Sequence, residues 1–240
     1  MSRRVLVTGG GSGIGRAVAQ AFAAAGDRVT ITGRRLAALE ETAAGFDMDC
    51  RAADVTDEAA VQALFDAPFD VVLANAGGGV GGKLKGVSLA DWNATLAVNM
   101  TGTFLLFREA LRGMGAGGRL IAMASTASLK GGAGIPAYAA AKHGVLGLVR
   151  SVALDVAGKG ITCNAVCPGF VDTDLAGAAV DAVQARFGLS REAALAEVVS
   201  DNPMGRLIST DEVVAAVMFL ASPGASMVNG HALAVSGGEI

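Results

Sequence analysis

The sequence predicts a doubly wound α/β domain, a parallel sheet of seven strands with helices on both faces. Short β-branched runs alternate with longer helical patterns along almost all of the 240 residues, the pattern of repeated βαβ units. Hydrophobic residues make up 52% of the chain, and the excess is largely Ala and Val, which together with Gly fill buried parallel strands and the helices packed closely over them. The length falls within one α/β domain and nothing forces a split, so residues 1–240 are expected to form a single unit.

The first strand covers residues 5–8 and runs into a glycine-rich turn followed by the helical pattern of 16–25. The second covers 28–32 and ends in Thr32-Gly33-Arg34-Arg35, and the third covers 50–53. Thr56 then precedes Asp57 and Glu58, acids that suit the positive end of a helix. The fourth strand, 70–74, opens into a loop rich in glycine from Gly78 to Gly82, after which Ser88 and Asp91 have the spacing of a capping box. The fifth covers 119–124. Beyond it Val145, Leu148, Val149, Val152 and Val156 recur at the three-and-four interval of one buried helical stripe. After the sixth strand, 162–166, an Ala-rich helical segment at about 176–202 interrupts the alternation and is expected to cover a ligand. A second capping-box pattern, Ser209 with Glu212, starts the last helix, and 232–235 forms the last strand. In such a sheet the ligand crevice lies at the carboxyl ends of the strands.

Composition removes several classes of function. Mean hydropathy is +0.50, yet the apolar stretches, such as 213–221, are short and broken by Pro, Gly or charge, whereas a spanning helix needs about 18 uncharged apolar residues. A net charge of −3 without a basic cluster leaves no footprint for nucleic acid. The chain starts straight into a strand, without a secretory segment, which favours the cytoplasm. Cys50, Cys163 and Cys167 are too few and scattered for a disulfide framework. With only His143 and His231 in the chain and no acidic cluster beside Cys163 and Cys167, no metal site is expected.

The turn after the first strand reads Thr8-Gly9-Gly10-Gly11-Ser12-Gly13-Ile14-Gly15. Glycines let backbone N–H groups approach a pyrophosphate, and the following helix end offers unpaired donors and a favourable dipole. The spacing G-x-x-x-G-x-G differs from the G-x-G-x-x-G fingerprint, and an ordinary strand-to-helix turn is the bland alternative. At the end of the second strand a carboxylate would bind the ribose 2′-hydroxyl of NAD. Here Gly33 is followed by Arg34 and Arg35, which suit a 2′-phosphate, so NADP(H) is favoured over NAD(H), with Arg34 as the expected contact. The alternative is that both arginines are solvated at a helix start.

Tyr138 and Lys142 are four apart at the start of a helical pattern, so both side chains share one face. A neighbouring ammonium favours the phenolate, which makes Tyr138, the only tyrosine of the chain, a candidate proton donor and acceptor. Ser125, at the carboxyl end of the fifth strand, is placed to orient a substrate oxygen, with Ser128 as a nearby competitor.

Thr8-Gly9 with Gly13 and Gly15, Asn75-Ala76-Gly77, Asn99, Ser125, Tyr138 with Lys142, and Pro168-Gly169 with Thr173 together resemble the short-chain dehydrogenase/reductase family, from Val5 to Gly238. The resemblance implies a Rossmann-type domain and a catalytic tetrad. In it Tyr138 is the general acid/base, Lys142 lowers its pKa and binds ribose, Ser125 positions the substrate oxygen, and Asn99 holds a water in a proton relay. It further implies dinucleotide contacts from Gly9, Ser12, Gly13, Ile14 and Gly15, from Asp54 and Val55 near the adenine, and from Asn75, Ala76 and Gly77. Pro168, Gly169, Val171 and Thr173 would meet the nicotinamide end. Ala74-Asn75-Ala76-Gly77 departs mildly from a family pattern that often carries two Asn. Ala141-Lys142-His143-Gly144 and Gly160-Ile161-Thr162-Cys163-Asn164 are similar to segments of bacterial hydroxybutyrate dehydrogenases and 3-oxoacyl thioester reductases. The expected function is therefore an oxidoreductase that moves hydride between NADP(H) and a small carbonyl or alcohol substrate, as a homo-oligomer, tetramer or dimer. Rivals are an NAD-dependent hydroxy-acid or alcohol dehydrogenase, an epimerase or dehydratase with a tightly held nicotinamide, and a cofactor sensor without turnover. A structural interaction protein would leave the whole residue set unexplained.

Overall fold

The short apolar runs become strands because, buried on both faces, an extended backbone satisfies its polar groups only through ladders with its neighbours. The computed structural model describes residues 2–240. Its strands are β1 (Arg4–Thr8), β2 (Arg28–Gly33), β3 (Met48–Ala52), β4 (Val71–Ala74), β5 (Arg119–Met123), β6 (Thr162–Pro168) and β7 (Ala232–Val235). All pair in parallel, in the order β3-β2-β1-β4-β5-β6-β7. Each expected strand is present. β6 runs two residues further than its apolar pattern suggested, because Cys167 and Pro168 pair with Ala234 and Val235 of β7.

The helices are α1 (Gly13–Ala24), α2 (Leu36–Ala43), α3 (Glu58–Ala63), α4 (Leu89–Leu96), α5 (Gly102–Ala110), α6 (Pro136–Val156), α7 (Asp174–Phe187), α8 (Arg191–Val198) and α9 (Thr210–Leu220). On one face of the sheet Val5, Val7, Leu73, Ile121 and Val166 pack against Val18 and Phe22 of α1 and Val213, Val217 and Leu220 of α9. On the other, Leu6, Val72, Leu120 and Ala165 pack against Leu105 and Leu106 of α5 and Val145 and Val149 of α6. The expected helical segment at 176–202 is α7 and α8.

The start signals hold with adjustments. Ser209 and Glu212 form a complete capping box on α9. Ser88 accepts from the Asp91 N–H at 3.0 Å, but its hydroxyl donates to the Asp91 carboxylate at 2.7 Å, so the reciprocal bond is side chain to side chain. Asp57, the first of the two acids after Thr56, caps α3 by accepting from the N–H groups of Ala59 and Ala60. On α6 the expected stripe is partly displaced. Val145, Val149 and Val156 are buried with Leu146 and Ala153, whereas Leu148 and Val152 are only half-buried.

β1 and β4, adjacent in the sheet but distant in sequence, mark the point where the strand order reverses. In a sheet of this kind the ligand crevice lies at the carboxyl edge beside such a reversal.

Candidate active site

The loop after β1 turns through glycines in the left-handed region, Gly9 at φ +66° and Gly13 at φ +49°. A side chain at Gly15 would collide with the Gly9 carbonyl and stand 2.6 Å from Asn75 Nδ2. Asn75 donates from Nδ2 to the Thr8 carbonyl at 2.9 Å, while the N–H groups of Asn75 and Ala76 both donate to Thr8 Oγ1 at 3.0 Å. Loops from either side of the crevice are thereby knitted together. The Arg16 N–H reaches the Ser12 carbonyl at 3.1 Å, which leaves the first-turn N–H groups of Gly13, Ile14 and Gly15 without acceptors inside the helix. No acidic side chain occupies that first turn. Bare backbone, free donors and the positive end of α1 together fit a pyrophosphate.

At the end of β2, Gly33 closes the strand, and Arg34 and Arg35 are exposed. Asp54 Oδ1 accepts from the N–H and hydroxyl of Thr56 at 2.9 and 2.8 Å. Those bonds, with the nearby Arg34, hold its carboxyl below the usual range. The Val55 side chain is buried in the core beside Gly102, so only its backbone can face a ligand. Arg35 starts α2. Across the crevice, the Thr173 methyl lies 3.2 Å from where a Gly13 side chain would begin, which places the turn after β6 against the glycine loop. Gly169 donates to the Val235 carbonyl at 3.1 Å, and Val171 bridges to Ile208.

Tyr138 and Lys142 lie on the first turns of α6, which begins with Pro136, a residue whose fixed φ suits a helix start. Lys142 is 4% exposed; its Nζ donates to the Met123 carbonyl at 2.7 Å and sits 5.5 Å from the Tyr138 ring centroid. Ser125 lies two residues beyond β5; its hydroxyl accepts from the Ala127 N–H at 3.2 Å and lies near enough to Tyr138 to act on its phenol. Ser128, its competitor, is buried with its hydroxyl unpartnered among the described residues. Asn99 lies in a π-helical turn, Ala97–Thr101, between α4 and α5. Its side chain accepts from the Gly78 N–H at 3.2 Å and donates to the carbonyls of Gly78 and Thr95 at 2.6 and 2.8 Å. At Gly77 a side chain would strike Asn99 Oδ1 at 2.6 Å and stand 3.4 Å from Lys142 Nζ, so these groups share one small space. The tetrad residues and Gly77 thus converge.

The electrostatics differ from expectation. Burial lowers the Lys142 ammonium to about 8 and raises the Tyr138 phenol, with the Ser125 hydrogen bond opposing that rise. The phenol moves up because loss of water outweighs the opposing effect of the Ser125 hydroxyl. It is therefore protonated at neutral pH.

Residues 9–239 match the family described as enoyl-(acyl carrier protein) reductase. A 3-oxoacyl-(acyl-carrier-protein) reductase of Vibrio cholerae is 36% identical over 243 residues, covering 97% of this chain and 95% of that protein. D-beta-hydroxybutyrate dehydrogenase of Cupriavidus necator is 34% identical over 252 residues, covering 99% and 98%. A crystal structure of a tryptophan-substituted actinorhodin polyketide ketoreductase with NADPH superposes with a TM-score of 0.93 at 34% identity, covering 99% of this chain and 97% of that one. The chain belongs to the short-chain dehydrogenase/reductase family.

As a short-chain dehydrogenase/reductase it is an oxidoreductase acting on CH–OH and C=O groups with a nicotinamide dinucleotide. The geometry adds residues that the motifs did not single out as site groups. Thr8 ties the two crevice loops through its hydroxyl. Arg16 braces the glycine loop from within α1 by donating to the Gly11 carbonyl at 2.9 Å. The Met123 carbonyl holds Lys142. A guanidinium inside an otherwise apolar helix pattern was the one available signal for Arg16. A backbone carbonyl leaves none.

Proposed function

We propose that the chain is an NADP(H)-dependent ketoreductase for a 3-oxoacyl or similar small keto substrate, with Tyr138, Lys142, Ser125 and Asn99 as its catalytic residues. The convergence of Tyr138, Ser125 and Lys142 at the carboxyl end of β5 carries the reading. The loop from Gly9 to Gly15 would hold the pyrophosphate, with Ser12 at its exposed tip. Asp54, Val55, Asn75, Ala76 and Gly77 would line the adenosine and ribose. Pro168, Gly169, Val171 and Thr173 would line the nicotinamide end. When bound, the nicotinamide supplies the hydride. After Gly33, Arg34 and Arg35 offer guanidinium groups and no carboxylate to a 2′-phosphate, which supports NADP(H) over NAD(H). The helices α7 and α8 would cover the substrate.

In the reducing direction Ser125 and Tyr138 both hydrogen-bond the substrate oxygen, and Tyr138, held as a phenol by burial, donates the proton that the oxygen acquires. Lys142 places a cation beneath the phenol that stabilises the developing phenolate, and within the family's scheme it also holds ribose. Asn99, fixed by Gly78 and Thr95, anchors the relay that restores the proton. Two hydroxyls aimed at one oxygen suit a carbonyl. The protein supplies placement and charge.

The site reading is one with a small-molecule substrate and no nucleic-acid partner. We place the enzyme in a reducing compartment, the cytoplasm, in keeping with its three free cysteines. No helix of the described residues is long and apolar enough to cross a membrane. The exposed Phe104 of α5 and Leu154 of α6 support assembly into a dimer or tetramer through those helices.

Following NADPH and NADH oxidation with ketones, 3-oxoacyl thioesters and 3-keto acids tests the reading. NADPH is expected to be preferred and a 3-oxoacyl thioester to be reduced. Tyr138→Phe is expected to lose at least about 100-fold in turnover while NADPH binding stays nearly intact. A near-normal rate in that variant refutes the assignment, and a strong preference for NADH refutes the role of Arg34.

A further inference from the structure

Three chain segments that are remote in sequence meet above the carboxyl end of β6. Lys130 follows the turn that starts at Ser125, and its N–H donates to the Thr126 carbonyl at 3.0 Å. Glu239 belongs to the tail after β7, which bends through Gly237 and Gly238 at φ +62° and +94°. Asp201 follows α8. Lys130 Nζ lies 3.0 Å from Glu239 Oε1 and 2.8 Å from Asp201 Oδ2. β5 and β7 flank β6 in the sheet, so the Lys130–Glu239 pair arches over the strand between them. Directly beneath is Gly169, where a side chain would begin only 2.7 Å from Glu239 Oε2.

The rest of the tail is locked to the segment at 199–207. Any side chain at Gly237 would collide with Asn202, and Gly238 packs on Pro203. Ile208, which directly follows that segment, pairs with the strand exit: it donates to the Phe170 carbonyl at 2.9 Å, and Asp172 donates to the Ile208 carbonyl at 2.8 Å. The next residue after Asp172, Thr173, touches the glycine loop at Gly13.

We infer that Lys130 and Glu239 form a clasp that positions the 169–173 turn and the 199–207 segment over the mouth of the active site. They are positioning residues, acting through Gly169 and Ser125. The burial decides which partner matters. Glu239 keeps only 10% of its side chain exposed and Lys130 is its ion-pair partner, whereas Asp201 is 74% exposed. A carboxylate so withdrawn from water needs its cation, while an exposed pair contributes little. Without Lys130 the tail has to lift out to rehydrate Glu239, which frees Gly169 and the end of the α7–α8 cover together. The role in catalysis rests on the ketoreductase reading; the mechanical coupling does not.

The test is a charge-exchange cycle, Lys130→Glu, Glu239→Lys and the double exchange, with Lys130→Arg as the conservative variant. Two readouts are taken, steady-state kinetics and hydrogen exchange of the amides at 169–173 and 199–207. Each single exchange is expected to lower kcat/KM about tenfold, mainly through KM, and to speed exchange in both segments together. The double exchange and Lys130→Arg are expected to recover most of both. Unchanged protection in a folded single variant overturns the clasp, and so does a double exchange no better than either single. If no carbonyl substrate is turned over by the wild type, the ketoreductase reading fails while the exchange pattern still decides the clasp.

Discussion

Lys142 is a cation kept away from water, with the Met123 carbonyl at 2.7 Å as its hydrogen-bond acceptor. That placement has a pH signature. With the ammonium lowered from 10.5 to about 8 in the folded chain, both states are charged below pH 8 and the burial penalty is fully present. Between 8 and 10.5 the folded chain releases its proton first, so unfolding takes up a proton and stability rises with pH, by roughly 3 kcal/mol at the upper end. Urea unfolding of wild type and Lys142→Met is expected to show the wild type gaining on the variant as pH climbs from 7 to 10. A difference independent of pH would contradict the burial argument. The spacing of Tyr138 and Lys142 disclosed that they share a face, because one helical turn is a local fact. The upward shift of the phenol was not legible, because desolvation depends on every neighbour that excludes water.

Capping shows the same division at the scale of an element. Ser209 accepts from the Glu212 N–H at 3.2 Å while Glu212 Oε2 accepts from the Ser209 N–H at 2.8 Å, and Arg206 pairs with the same carboxylate. Ser209→Ala is expected to cost about 1 kcal/mol in urea unfolding at pH 7. The Glu212 carboxyl is held down to about 2. Its contribution is therefore present above the ordinary value of 4.5 and disappears as pH falls through that window. Wild type and Glu212→Gln are expected to converge in stability near pH 2; a constant gap from pH 7 to 2 would discount the ionised cap. Serine and glutamate three apart disclose this box in sequence. The π-helical turn at Ala97–Thr101 is different. Asn99 reads as an ordinary residue in a helical pattern; its side chain bonds locally to the Thr95 carbonyl, but its bonds to Gly78 form only when α4 meets the loop after β4.

Across the whole molecule, the doubled apolar surface of α6 poses a question that one sheet does not answer. Val145 and Val149 are buried against the strands, yet Leu154 is 82% and Phe104 on α5 42% exposed. Changing both to Glu is expected to shift the sedimentation coefficient from oligomer to monomer without loss of helical circular dichroism, whereas a monomeric wild type would remove α5 and α6 as an interface. The sequence by itself determined the seven strands, the glycine turn, the pairing of Tyr138 with Lys142 and the class of chemistry, because these follow from periodicity, local spacing and side-chain type. Tertiary structure alone decided which serine faces Tyr138, that Thr8 knits two loops, that Lys142 rests on Met123, and that Lys130 reaches Glu239. Those contacts join segments whose separation in the chain carries no signal, and burial, which sets their strength, exists only once the sheet and helices have closed around them.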